Sequence, residues 1–218
     1  MVTGLPHIEH VGELCDSCLA KKHRRLPFLK TMKYRAAKTL ELVHGDLYGL
    51  ITPAMPGGRK YFILLVDDCS RFMWLQLLTS KTEAAKAVKK FKARAEAESG
   101  KKLRVLRTDR GGEFTLVEFA AYCADQGVVR HHTAPYSSQQ NGMVERRNQT
   151  VVSMARSMIK AKGMPARFWG KAVTTAVFIL NRALAKALTG KTPFEAWYGR
   201  KPSVSSSRHS AASATSGR

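Results

Sequence analysis

Acidic residues are scarce in this sequence: its 218 residues include 16 Asp or Glu against 37 Lys or Arg, a formal net charge of +21. So lopsided a chain is ill suited to grip a basic partner and well suited to a polyanion. Cysteine is also sparse. Four thiols, Cys15, Cys18, Cys69 and Cys123, cannot staple a chain this long, so a disulfide scaffold is excluded and a reducing compartment, cytosol or nucleus, is the default. Long apolar runs are missing as well. The longest, Tyr61 to Val66, falls far short of the ~20 residues of a membrane span, and the opening MVTGLPHIEH has no signal-peptide core. These features predict a soluble chain with no membrane partner, not secreted by that route. A hydrophobic content of 44% excludes global disorder and suffices for one good-sized core.

The pattern along the chain divides it into three. Residues 1–38 lack apolar periodicity, and Lys21 to Lys38 holds eight Lys or Arg and no carboxylate, which reads as a basic appendage. Residues 39–202 carry the periodic elements. LELVHGDLYG, RKYFILLVDD and RFMWLQLLTS are β-rich runs separated by TPAMPGG and a short Cys-Ser link, and they predict three consecutive antiparallel strands. Lys81 to Ser99 places Ala84, Ala87, Val88, Phe91 and Ala95 at helical spacing before Gly100. KKLRVLRTD predicts a fourth strand, Leu116 to Cys123 a second helix, and VVRHHTA a fifth strand. A long helix follows from about Met143 to Lys162, then another from about Ala166 to Ala187. This order is not the strict alternation of a doubly wound fold; it predicts an α/β protein with a five-stranded mixed sheet and flanking helices. Residues 203–218, rich in Ser and Ala, are expected to form a disordered tail.

In so basic a chain the position of each acid is informative. Asp46 falls in the first strand, Asp109 at the end of the fourth, and Glu145 in the first turn of the long helix. Carboxylates on rigid elements are what two-metal phosphodiester chemistry requires, because hard oxygen ligands hold two Mg²⁺ or Mn²⁺ ions while leaving positions open for phosphate and nucleophile. In that arrangement Asp46 bridges both ions, and Asp109 and Glu145 each hold one.

The spacing then becomes recognisable. Thirty-five residues separate Asp109 from Glu145, and the words HGDLYGLITPAMPGGRKYFILLVDDCSRFMW, LRTDRGGEF, APYSSQQNGMVERRNQTVVSMARSM and FWGKAV resemble the integrase core of copia-type LTR retrotransposon polyproteins, from about Leu40 to Pro202. The resemblance implies a ribonuclease H-like fold and a polynucleotidyl transferase that processes element 3′ ends and joins them to target DNA. It implies that Asp46, Asp109 and Glu145 are the metal ligands. It also implies action in the nucleus after a cytoplasmic particle stage, and at least a dimer, since two DNA ends are joined. Asp67, Asp68 and Glu113 are then left with structural roles. His44, which shares a strand face with Asp46, either supports that carboxylate or is a surface histidine.

Contacts to DNA are expected from Gln139, Gln140 and Asn141 in the loop 135–142, from Asn148 three residues beyond Glu145, and from Arg146, Arg147, Lys160 and Lys162 on the same helix. Arg146 to Phe194 holds ten cations and no acid, and Lys81 to Arg107 ten against three, so binding to the phosphate backbone should be strongly salt-dependent. KKHRR at 21–25 reads as a nuclear-localisation or polyanion patch. Cys15 and Cys18 have zinc-knuckle spacing, with His7 and His10 upstream. In the family the paired histidines lie further upstream, so this pair resembles only the end of a pre-integrase zinc module, and Zn²⁺ is expected either not at all or in a compensating site with His7 and His10. Ser138 and Lys171 depart from the family words. The truncated look of both ends suggests a polyprotein fragment and leaves a second reading open, a non-catalytic remnant that binds nucleic acid through its charge; a different nuclease on the same fold is a third.

Overall fold

The computed structural model describes residues 34–109, 111, 114, 117–132 and 142–203. The chain divides into Met1–Tyr34 and Arg35–Arg218, and apart from Tyr34 the first unit lies outside the described residues. The tail from 204 onward lies outside them too. Residues 35–38, expected in the linker, belong to the second unit: Ala36 is buried, and its N–H donates to Asp68 at 2.7 Å.

Five strands form one sheet: β1 (Leu42–Tyr48), β2 (Tyr61–Asp67), β3 (Met73–Leu78), β4 (Val105–Thr108) and β5 (Val129–His132), in the order β3-β2-β1-β4-β5. β1, β2 and β3 pair antiparallel, and β4 and β5 add in parallel. This is the five-stranded mixed sheet anticipated above. Both faces are covered, which is why β2 reads as a continuous apolar run. Val43, Ile63, Leu65 and Leu106 pack on one face against α1 (Ala84–Ser99), through Ala84, Ala87, Val88, Phe91 and Ala95, and against α2 (Val117–Asp125), through Phe119 and Cys123. Phe62, Leu64 and Val66 face α3 (Gly142–Ala161), through Val144, Val151, Val152 and Ala155, and α4 (Trp169–Arg182), through Trp169, Val173, Ala176 and Val177. No helix among the described residues is long and apolar enough to cross a membrane.

Three elements differ from expectation. The fourth strand covers only Val105–Thr108, because Glu96 captures the Leu103 N–H at 2.9 Å and Lys102 at 3.2 Å and so holds the approach to the strand outside the ladder. The helix expected to reach Ala187 stops at Arg182, where Ala183 turns extended. Just before that stop, the buried Asn181 side chain accepts from the Met73 N–H at 2.9 Å and donates to the Met73 carbonyl at 2.8 Å, clamping α4 to the edge strand. Finally, α5 (Pro193–Tyr198) was not anticipated, although its signals are present: Thr192 accepts from the Glu195 N–H, Pro193 sits in the first turn, and Gly199 closes it at φ 69°.

Candidate active site

β1 is the middle strand, and it brings the first candidate acid to the sheet face that carries α3. Asp46 pairs with Leu64 and His44 with Val66, and in an antiparallel ladder paired residues share a face; Leu64 and Val66 belong to the α3 side. Between them, Gly45 looks the other way. A Cβ there would stand 3.1 Å from Leu65 and 3.3 Å from the Thr108 methyl, so the absence of a side chain lets β4 close tightly on β1. Asp109 is the residue after Thr108, just past the end of β4, the strand that pairs in parallel with β1. Glu145 enters from above, in the first turn of α3.

Asp46 is the electrostatic centre of this arrangement. Its pKa is raised from 3.8 to about 6, chiefly because burial disfavours the charged form. A hydrogen bond from the Asn148 amide, 2.6 Å to Oδ2, works against that shift, while the charges of Asp109 and Glu145 add to it. Two of the acids anticipated from the sequence, Asp109 and Glu145, therefore lie within electrostatic reach of the third, Asp46. They do not close to ligation distance: among the described residues no group of three or more His, Cys, Asp or Glu is placed to hold a metal ion. Asp109 instead accepts the Gly111 N–H at 3.1 Å. The donor chemistry nonetheless fits a hard divalent cation. All three groups are carboxylates, and the buried Oδ1 of Asn148, beside Asp46, has no donor, as suits a position next to a hydrated ion.

The remaining expectations divide. Asn148 was expected to reach DNA, but it is 2% exposed and spent on Asp46. Asn148 lies three residues beyond Glu145 on α3, and there it looks at the sheet rather than at solvent. Arg146 and Lys160 are exposed on α3, and Lys162 is exposed just beyond its end. Arg147 is only partly exposed, and burial and the like charge of Arg71 lower its pKa. Gln139, Gln140, Asn141, Glu113, Cys15, Cys18, His7, His10 and the run 21–25 lie outside the described residues.

His44 supports an acid, but not Asp46. Its Nε2 lies 3.1 Å from Asp68 Oδ1, which also accepts from Arg71 Nη1 at 2.9 Å, while Oδ2 takes the Ala36 N–H. Burial would raise the Asp68 pKa, but the hydrogen bonds from His44 and Ala36 and the charge of Arg71 outweigh it and hold the carboxyl below its usual range. Asp67, raised by burial, accepts from the Leu40 N–H and from both the N–H and hydroxyl of Ser70. Both acids thus fasten the start of β1 to the β2–β3 turn, the structural roles expected of them.

With this geometry in view, residues 36–138 match the family described as the integrase core domain. The chain is 39% identical over 191 residues to the retrovirus-related Pol polyprotein of transposon TNT 1-94 from Nicotiana tabacum, covering 88% of this chain and 14% of that protein. It is 25% identical over 189 residues to the corresponding polyprotein of transposon RE2 from Arabidopsis thaliana, covering 86% of this chain and 13% of that protein. The chain thus spans about one-seventh of the curated relatives it matches. Among solved structures, one chain of a simian T-cell lymphotropic virus intasome, determined in complex with the B56 gamma regulatory subunit of PP2A, superposes with a TM-score of 0.61 at 18% identity, over 78% of this chain and 58% of that one. The fold is accordingly ribonuclease H-like.

Proposed function

Because this chain belongs to the integrase core domain family, alongside retrotransposon Pol polyproteins, we propose that it is the catalytic core of a DNA integrase, a polynucleotidyl transferase acting on DNA in the nucleus. The observation that carries this reading is Asp46: a half-buried carboxylate on the central strand, oriented by Asn148, on which Asp109 and Glu145 both act.

Asp46, Asp109 and Glu145 would hold the divalent ions. When bound, such ions lower the pKa of an attacking water or 3′-hydroxyl and stabilise the leaving oxygen. The protein's own part is positional. Asn148 fixes the Asp46 carboxylate through a 2.6 Å hydrogen bond, and a pKa of about 6 leaves that group mostly ionised, able to act as a ligand, at neutral pH. Gly45 permits the close β1–β4 contact that sets Asp109 alongside. The exposed cations Arg146, Lys160 and Lys162 would meet the phosphate backbone without reading sequence, with Gln139, Gln140 and Asn141 from the preceding loop. Joining two DNA ends requires at least two copies of the chain.

The non-catalytic remnant is favoured by one observation, the lack of a ligation-distance cluster among the described residues. Disintegration of a branched DNA substrate in Mg²⁺ or Mn²⁺ separates the two readings. We expect activity in the wild-type protein and none in Asp109→Asn or Glu145→Gln. A folded, DNA-binding protein with no activity in either metal would establish the remnant; hydrolysis without joining would mark a nuclease on the same fold.

A further inference from the structure

Two positions past Asp46, β1 carries an aromatic ring that the reading above leaves unused. Tyr48 pairs with Phe62 as Asp46 pairs with Leu64, so both side chains stand on the α3 face of the sheet. At about 3.4 Å per residue, two steps along a strand set them about 7 Å apart. A carboxylate and a ring are thus neighbours on one ledge.

The ring is held rather than loose. It stacks on Phe62 with centroids 5.2 Å apart and planes at 23°, and Phe62 is fully buried. Phe62 in turn meets the Trp169 ring at 6.4 Å, and the Trp169 indole N–H donates to the Pro53 carbonyl at 3.0 Å. One side of Tyr48 is therefore fixed against the core, while the residue as a whole is only partly buried. The chain closes tightly just beyond it: a Cβ on Gly49 would stand 2.5 Å from the Tyr61 ring and 2.7 Å from the Lys60 carbonyl. That closure sets the backbone of Lys60, with Arg59 before it, against the residue after Tyr48. Both cations are exposed, and the sequence holds no acid from 47 to 66 to neutralise them.

A fixed aromatic ring flanked by cations is the combination that binds unpaired nucleotides, since every base offers a π face to the ring and every phosphate a charge to the cations. A paired base inside a duplex is already stacked on both faces and cannot use it. A ring set in place beforehand also spares the entropy of ordering a loose side chain on binding.

We propose that Tyr48 is a stacking platform for an unpaired base at the end of a DNA strand, with Arg59 and Lys60 on the phosphates of that strand. This deepens the integrase reading and rests on it, because a base seated on Tyr48 sets a phosphate of its own strand beside Asp46. The contact differs in kind from those of Arg146, Lys160 and Lys162: it distinguishes unpaired from paired DNA.

DNA binding by the full chain, followed by fluorescence anisotropy with a chelator present, tests this on two duplexes of equal length, one fully paired and one with mismatched terminal pairs. Wild-type protein should bind the frayed duplex at least about fivefold more tightly than the paired one. Tyr48→Leu keeps an apolar side chain over Phe62 but has no ring, and it should lose most of that preference. Tyr48→Phe should keep it, because the ring and not the hydroxyl does the stacking. If thermal melting shows that the Leu variant fails to fold, Tyr48→Met supplies the same ratio. Equal binding of both duplexes by wild type, or a preference that survives in the folded Leu or Met variant, overturns the platform and leaves the DNA reading intact. Failure of wild type to bind either duplex overturns both.

Discussion

Replacing Asp46 with Asn should make the protein more stable and its extra stability pH-dependent. In the folded protein the carboxyl titrates at about 6 rather than 3.8. An acid whose pKa is raised by folding favours the folded state only while protonated; that advantage is complete below 3.8 and is lost as pH rises to about 6. The difference, 6 − 3.8, is about 2 pKa units, and at about 1.4 kcal/mol per unit the charged carboxylate costs about 3 kcal/mol above pH 7. At pH 4 nearly all of that cost has gone. Asn is isosteric, can still accept the Asn148 hydrogen bond through its amide oxygen, and cannot ionise. Urea unfolding with a chelator present should therefore show Asp46→Asn more stable than wild type by 2–3 kcal/mol at pH 8, and by only about 0.5 kcal/mol at pH 4. Equal gains at both pH values would mean that packing rather than ionisation is responsible. No gain at pH 8 would show that burial and the neighbouring acids do not strain Asp46, and the account of the site would fail at its centre. A stabilised variant would show a site that trades stability for a concentrated negative charge.

The structural acids and clamps give further expectations. Asp68 is held below its ordinary pKa, so it contributes stability above about pH 4 that is lost as acid titrates it in the fold; Asp68→Asn should be destabilised at pH 7, and its deficit should shrink steadily under acid, in the same unfolding assay. A deficit independent of pH would assign the effect to lost hydrogen bonds alone. Asn181→Leu leaves the Met73 N–H and carbonyl buried without partners, and at roughly 1–3 kcal/mol for each orphaned group a loss of about 3 kcal/mol is expected from urea titration. A loss below 1 kcal/mol would show that the α4 clamp is dispensable.

Much of this protein was legible in its sequence because local rules set it. β-rich runs marked β1 to β3, Ala84 to Ala95 marked α1 by helical spacing, and the rarity of acids drew attention to Asp46, Asp109 and Glu145, residues far apart in the chain of which the fold brings Asp109 and Glu145 within electrostatic reach of Asp46. Even the overlooked α5 carried its cap residues in plain view. What the sequence left open was which way polar side chains on the built elements would face and what they would meet. His44 could serve Asp46 or solvent; it serves Asp68. Asn148, expected at DNA from its place on the Glu145 face of α3, is buried and reaches Asp46 instead. Asn181 pairs with Met73 across 108 residues of chain. Periodicity reports which positions avoid water, and so it finds elements and cores. Hydrogen bonds between distant segments depend on the distances and angles that arise only when those cores pack, which is why these partners were decided by the tertiary structure.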